Sequence, residues 1–149
     1  MRSSNRCASP CVAVLSLLAA AFAHAAERGA LNDFLGTWRG TSTCVNRELA
    51  PACNDEIVVY EVRRAGAPGA VVLAAAKIVD GQTLPMGDLE FVYSEKDGCW
   101  QSELGAPRVR GVWCLAADGR NLTGSFRVMP QNVDTRKVQA VREPSADKH

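Results

Sequence analysis

Acidic and histidine side chains are the groups in this sequence that could carry acid–base chemistry, and their spacing limits what they can do. Asp55 and Glu56 are adjacent, so on a strand they point to opposite faces and cannot work as a pair. Asp88 and Glu90 share a face that we expect to be solvated. Outside the leader the only histidine is His149, the last residue, so no nucleophile has a histidine base. The sequence predicts no catalytic residues and no enzyme.

The N-terminus has the composition of a secretory signal peptide. Basic residues lie in a polar leader, an apolar run extends from Val12 to Ala23, and small residues surround the predicted cleavage site after Ala25 or Ala26. This run is shorter than the roughly 20 residues that a membrane-spanning helix needs. We therefore expect no membrane span and a periplasmic or secreted product. The predicted organisation is a signal peptide at 1–25, one barrel domain at 26–143 and a disordered tail at 144–149.

The charge of the mature chain excludes one class of partner. Loss of Arg2 and Arg6 leaves 15 basic and 16 acidic residues, a net charge of −1. Nucleic-acid-binding domains carry a basic patch, and here basic and acidic residues are interspersed. We expect a monomer that binds no nucleic acid.

Four cysteines remain after the predicted cleavage: Cys44, Cys53, Cys99 and Cys114. An even number in an exported chain favours two disulfides. Zinc binding is the alternative, but the spacing contains no Cys-x-x-Cys pair. We predict disulfides, no metal and no cofactor.

Short alternating runs, separated by Gly, Asp, Asn and Pro, fill the chain after residue 36, a pattern typical of antiparallel β proteins. The predicted fold is all-β, an eight-stranded antiparallel up-and-down barrel. Its strands are Gly36–Cys44, Glu56–Arg64, Ala70–Val79, Asp88–Ser94, Cys99–Leu104, Val109–Ala116, Asn121–Met129 and Thr135–Arg142.

Hairpin register predicts which residues face inward. Between the fifth and sixth strands, one register places Cys99 opposite Cys114, Trp100 opposite Trp113, Glu103 opposite Arg110 and Leu104 opposite Val109. Elimination then pairs Cys44 with Cys53. The neighbouring hairpins are predicted to pair Tyr93 with Ser102, Phe91 with Leu104, Trp113 with Phe126, Leu115 with Gly124, Tyr60 with Ala74 and Val62 with Val72.

Alternate connections of such a meander fall at the same end of the barrel. Trp38, Trp100 and Trp113 are predicted to close one end as a floor, and the longer loops surround the other end.

Gly36, Thr37 and Trp38 follow a short helical lead-in and stand at the head of the eight runs. They resemble the opening of the lipocalin and wider calycin group of barrels. They are also similar to the opening of avidin-like barrels and of periplasmic inhibitors of secreted metalloproteases. The resemblance implies a compact secreted bacterial barrel, in which a bottom tryptophan packs under a basic residue of the last strand. Arg142 takes that position here.

The predicted inner face above the floor is mostly apolar and includes several small residues. It comprises Ser42, Val58, Ala76, Ile78, Leu89, Phe91, Ser102, Leu104, Val109, Gly111 and Val128. Eight strands can enclose either packed side chains or one small ligand, and both alternatives stay open. The first hypothesis is a carrier of a small apolar molecule that enters past the loops at 45–55 and 80–87.

The second hypothesis is an interaction module that uses the same loops to bind a secreted or envelope protein. The segment Asp80–Asp88 contains Leu84, Pro85 and Met86, which we predict to be exposed on a loop.

Overall fold

Eight antiparallel strands close into one barrel in the computed structural model, which describes residues 30–105 and 110–144. The strands are β1 (Gly36–Cys44), β2 (Glu56–Arg64), β3 (Ala70–Val79), β4 (Gln82–Ser94), β5 (Cys99–Gly105), β6 (Arg110–Asp118), β7 (Asn121–Met129) and β8 (Val133–Arg142). Each strand pairs with the next, and β1 pairs with β8. The predicted fold class is confirmed, together with the disulfides Cys44–Cys53 and Cys99–Cys114. The predicted leader, Val109 and residues 145–149 lie outside the described residues.

A short helix over residues 30–34 leads into β1, and together they form the floor of the barrel. Trp38 is fully buried, and its indole Nε1 donates to the Phe34 carbonyl at 2.9 Å. The Phe34 ring stacks on Trp100 with the centroids 5.2 Å apart. The Arg142 guanidinium lies 4.2 Å from the centroid of the Trp38 ring and donates to the carbonyl oxygens of Asp33 and Leu35. Aromatic rings and a basic residue of the last strand therefore close this end.

Strand β4 differs most from its predicted bounds. Asp80 and Gly81 have positive φ angles of 50° and 78° and close a two-residue turn between β3 and β4. The strand therefore begins at Gln82, and most of the segment predicted as an exposed loop is paired with β3. A bulge between Ala75 and Ala76 of β3 sets Met86 out of the ladder.

The β5–β6 ladder is shifted from the predicted register. Trp113 lies opposite Ser102 and Trp100 opposite Leu115, so each tryptophan faces a smaller side chain instead of the other tryptophan. Cys114 lies opposite Gln101, and the disulfide to Cys99 runs diagonally with a Cα–Cα distance of 5.6 Å. Because the shift is two residues, the same residues of β5 and β6 face inward as predicted, but Trp113 lies farther from the floor.

The β4–β5 turn is also longer than predicted. Tyr93 pairs with Trp100 and not with Ser102, because four residues connect the strands. Side-chain hydrogen bonds of Asp97 with Ser94 and Gln101 hold this turn and keep the pKa of the Asp97 carboxyl below its usual value.

The β2–β3 register differs from the prediction by one residue, which reverses the faces of β3. Tyr60 pairs with Ala75 and Val62 with Leu73. This arrangement buries Leu73 and Val71, whereas the predicted one would have buried the smaller Ala74 in place of Leu73. The predicted inward positions Ala76 and Ile78 therefore lie on the outer face.

Two inward glycines allow strands to approach closely. A Cβ atom on Gly40 would lie 2.0 Å from the Gln139 carbonyl oxygen, and one on Gly124 would lie 2.3 Å from the Cys114 carbonyl oxygen. The barrel wall is therefore drawn in beside β7 and β8, where Leu122, Val138 and Ala140 fill the interior.

Candidate functional site

A cavity of about 340 Å³ lies inside the barrel above the floor. Small-molecule sites occupy about 300 to 1,000 Å³, so this cavity is large enough for one small ligand. Every strand except β7 contributes to its lining. The lining residues are Ser42, Glu56, Tyr60, Leu73, Ala75, Met86, Gly87, Asp88, Leu89, Phe91, Leu104, Trp113, Leu115 and Arg136.

Most of the cavity wall is apolar. Leu73 and Ala75 of β3 face Trp113 and Leu115 of β6 across the barrel, and Phe91 lies on the floor side, where its ring packs against the floor. Ala75 is the small member of this wall, and it is paired with Gly87 of β4, which has no side chain. The site can therefore accept an apolar molecule without removing a large residue from the core.

A polar cluster formed by Arg136, Ser42 and Glu56 closes the cavity on the side of the loop at 45–55. The Arg136 guanidinium donates to Ser42 Oγ at 2.8 Å and to Glu56 Oε2 at 3.1 Å. Lys77 Nζ lies 3.4 Å from the other oxygen of Glu56. Two cations thus share one carboxylate, and the cluster together with Lys77 has a formal net charge of +1.

Arg136 also ties the cavity wall to the disulfide loop. Its second terminal nitrogen donates to the Asn54 carbonyl at 2.9 Å and lies 3.2 Å from Cys53 Sγ. Within the loop, Arg47 pairs with Asp55 at 3.4 Å, and Asp55 accepts a hydrogen bond from the Cys44 amide at 2.8 Å. The loop at 45–55 lies at the end of the barrel opposite the floor, which we call the mouth. The loop is therefore held by charged hydrogen bonds in addition to its disulfide.

Tyr60 carries a phenol that stays protonated over the physiological range. Burial raises the pKa of Tyr60 to about 12, although a hydrogen bond with Ser42 and the charge of Arg136 act in the opposite direction. A neutral phenol on a cavity wall can donate a hydrogen bond to a ligand oxygen.

The structure brings only some of the predicted ligand-binding residues to the cavity. Ser42, Leu89, Phe91 and Leu104 line it. Val58, Ser102, Gly111 and Val128 face inward but pack outside its lining, whereas Ala76 and Ile78 lie on the outer face for the reason given above.

Gly111 shows why a small inward residue does not always mark open space. A Cβ atom at this position would lie 2.0 Å from Phe126 Cζ, because the phenyl ring occupies the space beside the glycine. Phe126 in turn packs on Trp113 with the centroids 4.9 Å apart. Trp113, predicted as part of the floor, therefore forms the cavity wall instead.

Several lining residues were not predicted, and the reason differs among them. Leu73 and Ala75 follow directly once the β2–β3 register is correct, whereas Tyr60 was already predicted to face inward and was not counted among the ligand-binding residues. Arg136 is in phase with the inward-facing Val138 and Arg142 and lies opposite Phe126, so alternation alone places it on the inner face; its charge hid it in a face predicted to be mostly apolar.

No family model matches this chain, and no curated protein matches its sequence. In the described part of the chain, no helix is long and apolar enough to cross a membrane. Two disulfides are typical of proteins that fold in an oxidising compartment.

Proposed function

We propose that this protein is a non-enzymatic, lipocalin-like carrier that holds one small, mainly apolar molecule inside its barrel. The observation that supports this function is the cavity itself, about 340 Å³ with a mostly apolar wall; its polar groups are the Arg136–Ser42–Glu56 cluster, the Tyr60 hydroxyl and the carboxylate of Asp88, which pairs with Arg63 at 2.9 Å. The disulfides and the predicted signal peptide support a periplasmic or secreted location.

The polar residues favour a ligand with one hydrogen-bonding group. The Tyr60 hydroxyl and the Ser42–Arg136–Glu56 cluster lie together at one side of the cavity, whereas Leu73, Phe91 and Leu115 surround the rest. A molecule with an apolar body and a single carbonyl or hydroxyl would satisfy both parts of this surface.

Three consecutive alanines allow a matched test. Ala75 lines the cavity and Ala76 lies on the outer face of the same strand. Ala75→Leu should weaken binding of the neutral fluorescent probe N-phenyl-1-naphthylamine about tenfold or more, because the added atoms fill the cavity. Ala76→Leu adds the same atoms outside and should leave binding unchanged. Equal binding by both variants would contradict the proposal.

Native mass spectrometry of the exported protein tests the natural occupant. We expect an excess of a few hundred daltons on the folded protein, roughly what a cavity of this size accommodates, that disappears on denaturation. The same spectrum should show a chain that begins at Ala26 or Glu27, and a full-length chain would contradict the predicted leader.

A second function, protein binding through the mouth, has a specific observation in its favour. Val45 and Leu49 of the disulfide loop are 47% and 42% exposed. Single polar replacements of these two residues should weaken crosslinking to an envelope partner, whereas Ile57→Ser on the outer wall serves as a matched control. The same crosslinked bands from all three variants would count against this function.

A further inference from the structure

The barrel is joined weakly at one place, between β4 and β5. Only three residue pairs connect these strands in the described chain: Val92–Gln101, Tyr93–Trp100 and Ser94–Cys99. Every other neighbouring pair of strands has at least six residue pairs. We call the unpaired stretch between Leu89–Phe91 of β4 and Ser102–Leu104 of β5 the seam.

Two carboxylates stand where the ladder would continue. Continuing the same register would place Phe91 opposite Ser102 and then Glu90 opposite Glu103 on the outer face. Like charges directly opposite each other destabilise a strand pair. Glu103 has its own partner, Arg110, at 3.0 Å, but that arginine lies on β6, on the side away from β4.

Apolar side chains lie between the cavity and the surface at the Leu89–Leu104 end of the seam, whereas Phe91 and Ser102 at its other end are buried. Leu89 lines the cavity from β4 and Leu104 lines it from β5, and continued register would set them opposite each other. Leu104 is 38% exposed, and Met86, which precedes the seam on β4, is 42% exposed. An apolar molecule passing between the two strands would therefore stay in contact with apolar groups.

Two other features of this region favour passage of a ligand over pairing with another strand. Pro85 has no amide hydrogen to donate, and the bulge at Met86 twists the edge of β4. Both features are devices that protect strand edges from pairing with another chain. Meanwhile the Arg136 cluster fastens the disulfide loop to the wall at the mouth.

We propose that the seam is the portal through which the ligand enters and leaves the cavity, and that repulsion between Glu90 and Glu103 keeps it open. This inference rests on the proposed carrier function. A portal controls the rates of association and dissociation equally, so changing it alters kinetics and leaves the affinity unchanged.

Stopped-flow fluorescence with N-phenyl-1-naphthylamine tests this inference with a charge reversal at the seam. Glu90→Lys converts the repulsion into attraction, and both rate constants should fall about fivefold while Kd changes by less than about twofold. Glu61→Lys makes the same charge change on the outer face of β2 and should leave the rates at their wild-type values. If Glu90→Lys does not fold, Glu90→Gln removes the repulsion without new charge and should slow both rates about twofold.

Unchanged rates in the folded Glu90 variant overturn the portal, because either the carboxylates do not hold the seam open or the ligand does not use it. A slower rate with a matching change in Kd also overturns it, since the substitution would then act on the bound ligand. Failure of the wild-type protein to bind the probe would instead contradict the carrier function itself.

Discussion

The floor and the mouth of this barrel are closed by different chemistry. At the floor, Phe34, Trp38 and Trp100 are almost completely buried; Phe34 stacks on Trp100, and Trp38 lies under Arg142. At the mouth, a disulfide loop is fastened by charged hydrogen bonds, and apolar side chains are left exposed beside it. One end is built for stability, and the other keeps groups that a ligand or partner can contact.

Two arginines of β8 show the difference most directly. Arg142 and Arg136 stand on the inner face of the same strand, six residues apart. Arg142 is balanced by backbone carbonyls and a tryptophan ring, which cannot change charge. Arg136 is balanced by Glu56, which it shares with Lys77. The two arginines share a strand and a face, so these do not determine their different roles. The contacts that each arginine makes, at the floor or at the mouth, determine its role.

Loss of a floor aromatic should have the largest effect on stability. Trp38→Ala removes a fully buried side chain and should lower the free energy of unfolding by about 3 to 5 kcal/mol. Trp113→Ala, in the half-buried cavity wall, should cost clearly less, because part of its surface already faces the cavity. Urea denaturation of both variants measures the difference, and equal losses would break the distinction between floor and wall.

Removal of the disulfides should have nearly equal effects on stability and unequal effects on binding. Replacing Cys99 and Cys114 by Ala should cost about 3 kcal/mol, and replacing Cys44 and Cys53 about 2.5 kcal/mol, from closure of loops of 15 and 9 residues. Only the second pair touches Arg136, so only its removal should change affinity for the probe. A change of affinity in both variants would show that the mouth is not a separate unit.

Replacement of the two arginines sharpens the comparison. Arg142→Met should lower the free energy of unfolding by about 2 kcal/mol through the lost carbonyl and ring contacts, with little effect on binding. Arg136→Met should cost about 1 to 2 kcal/mol, because Glu56 keeps Lys77 as a partner, and it should alter affinity for the probe. Denaturation and probe titration of both variants check this, and a binding defect in Arg142→Met would contradict it.

Alkaline pH should produce the smallest of these effects. The folded pKa of Tyr60 is about 12 and its ordinary value is 10.0, so the unfolded chain loses the phenol proton first and stability falls as pH rises from 10 toward 12. At pH 11 the loss should be about 1.4 kcal/mol. Tyr60→Phe should remove this part of the pH dependence in urea denaturation. If the stability of that variant still fell with pH as in the wild-type protein, Tyr60 would not be the source of the pH dependence.

Local sequence signals predicted the strands well. The bounds of β1, β2, β3 and β7 agree with the prediction, because turn residues mark their ends and alternation marks their interiors. The β6–β7 register was also correct, with Trp113 opposite Phe126.

The cavity was less predictable, because it depends on register and on contacts between distant residues. The predicted β2–β3 register was wrong by one residue, so Ala76 was predicted to face inward where the structure has Ala75. No residue of the loop at 65–69 distinguishes the two registers. Alternation along β8 places Arg136 on the inner face, but its role there depends on Glu56, 80 residues earlier, which no local pattern indicates. Gly111 appeared to leave space that Phe126 fills from the neighbouring strand.

The close approaches at Gly40 and Gly124 give the barrel two unequal halves. Where β7 and β8 are drawn in, the interior is solid, and the cavity is displaced toward β3, β4, β5 and β6. Substitutions of inward residues should consequently affect mainly stability on the solid side and mainly the shape of the cavity on the hollow side. For the carrier that we propose, substitutions on the hollow side would change which ligand fits without altering the residues that keep the solid side folded.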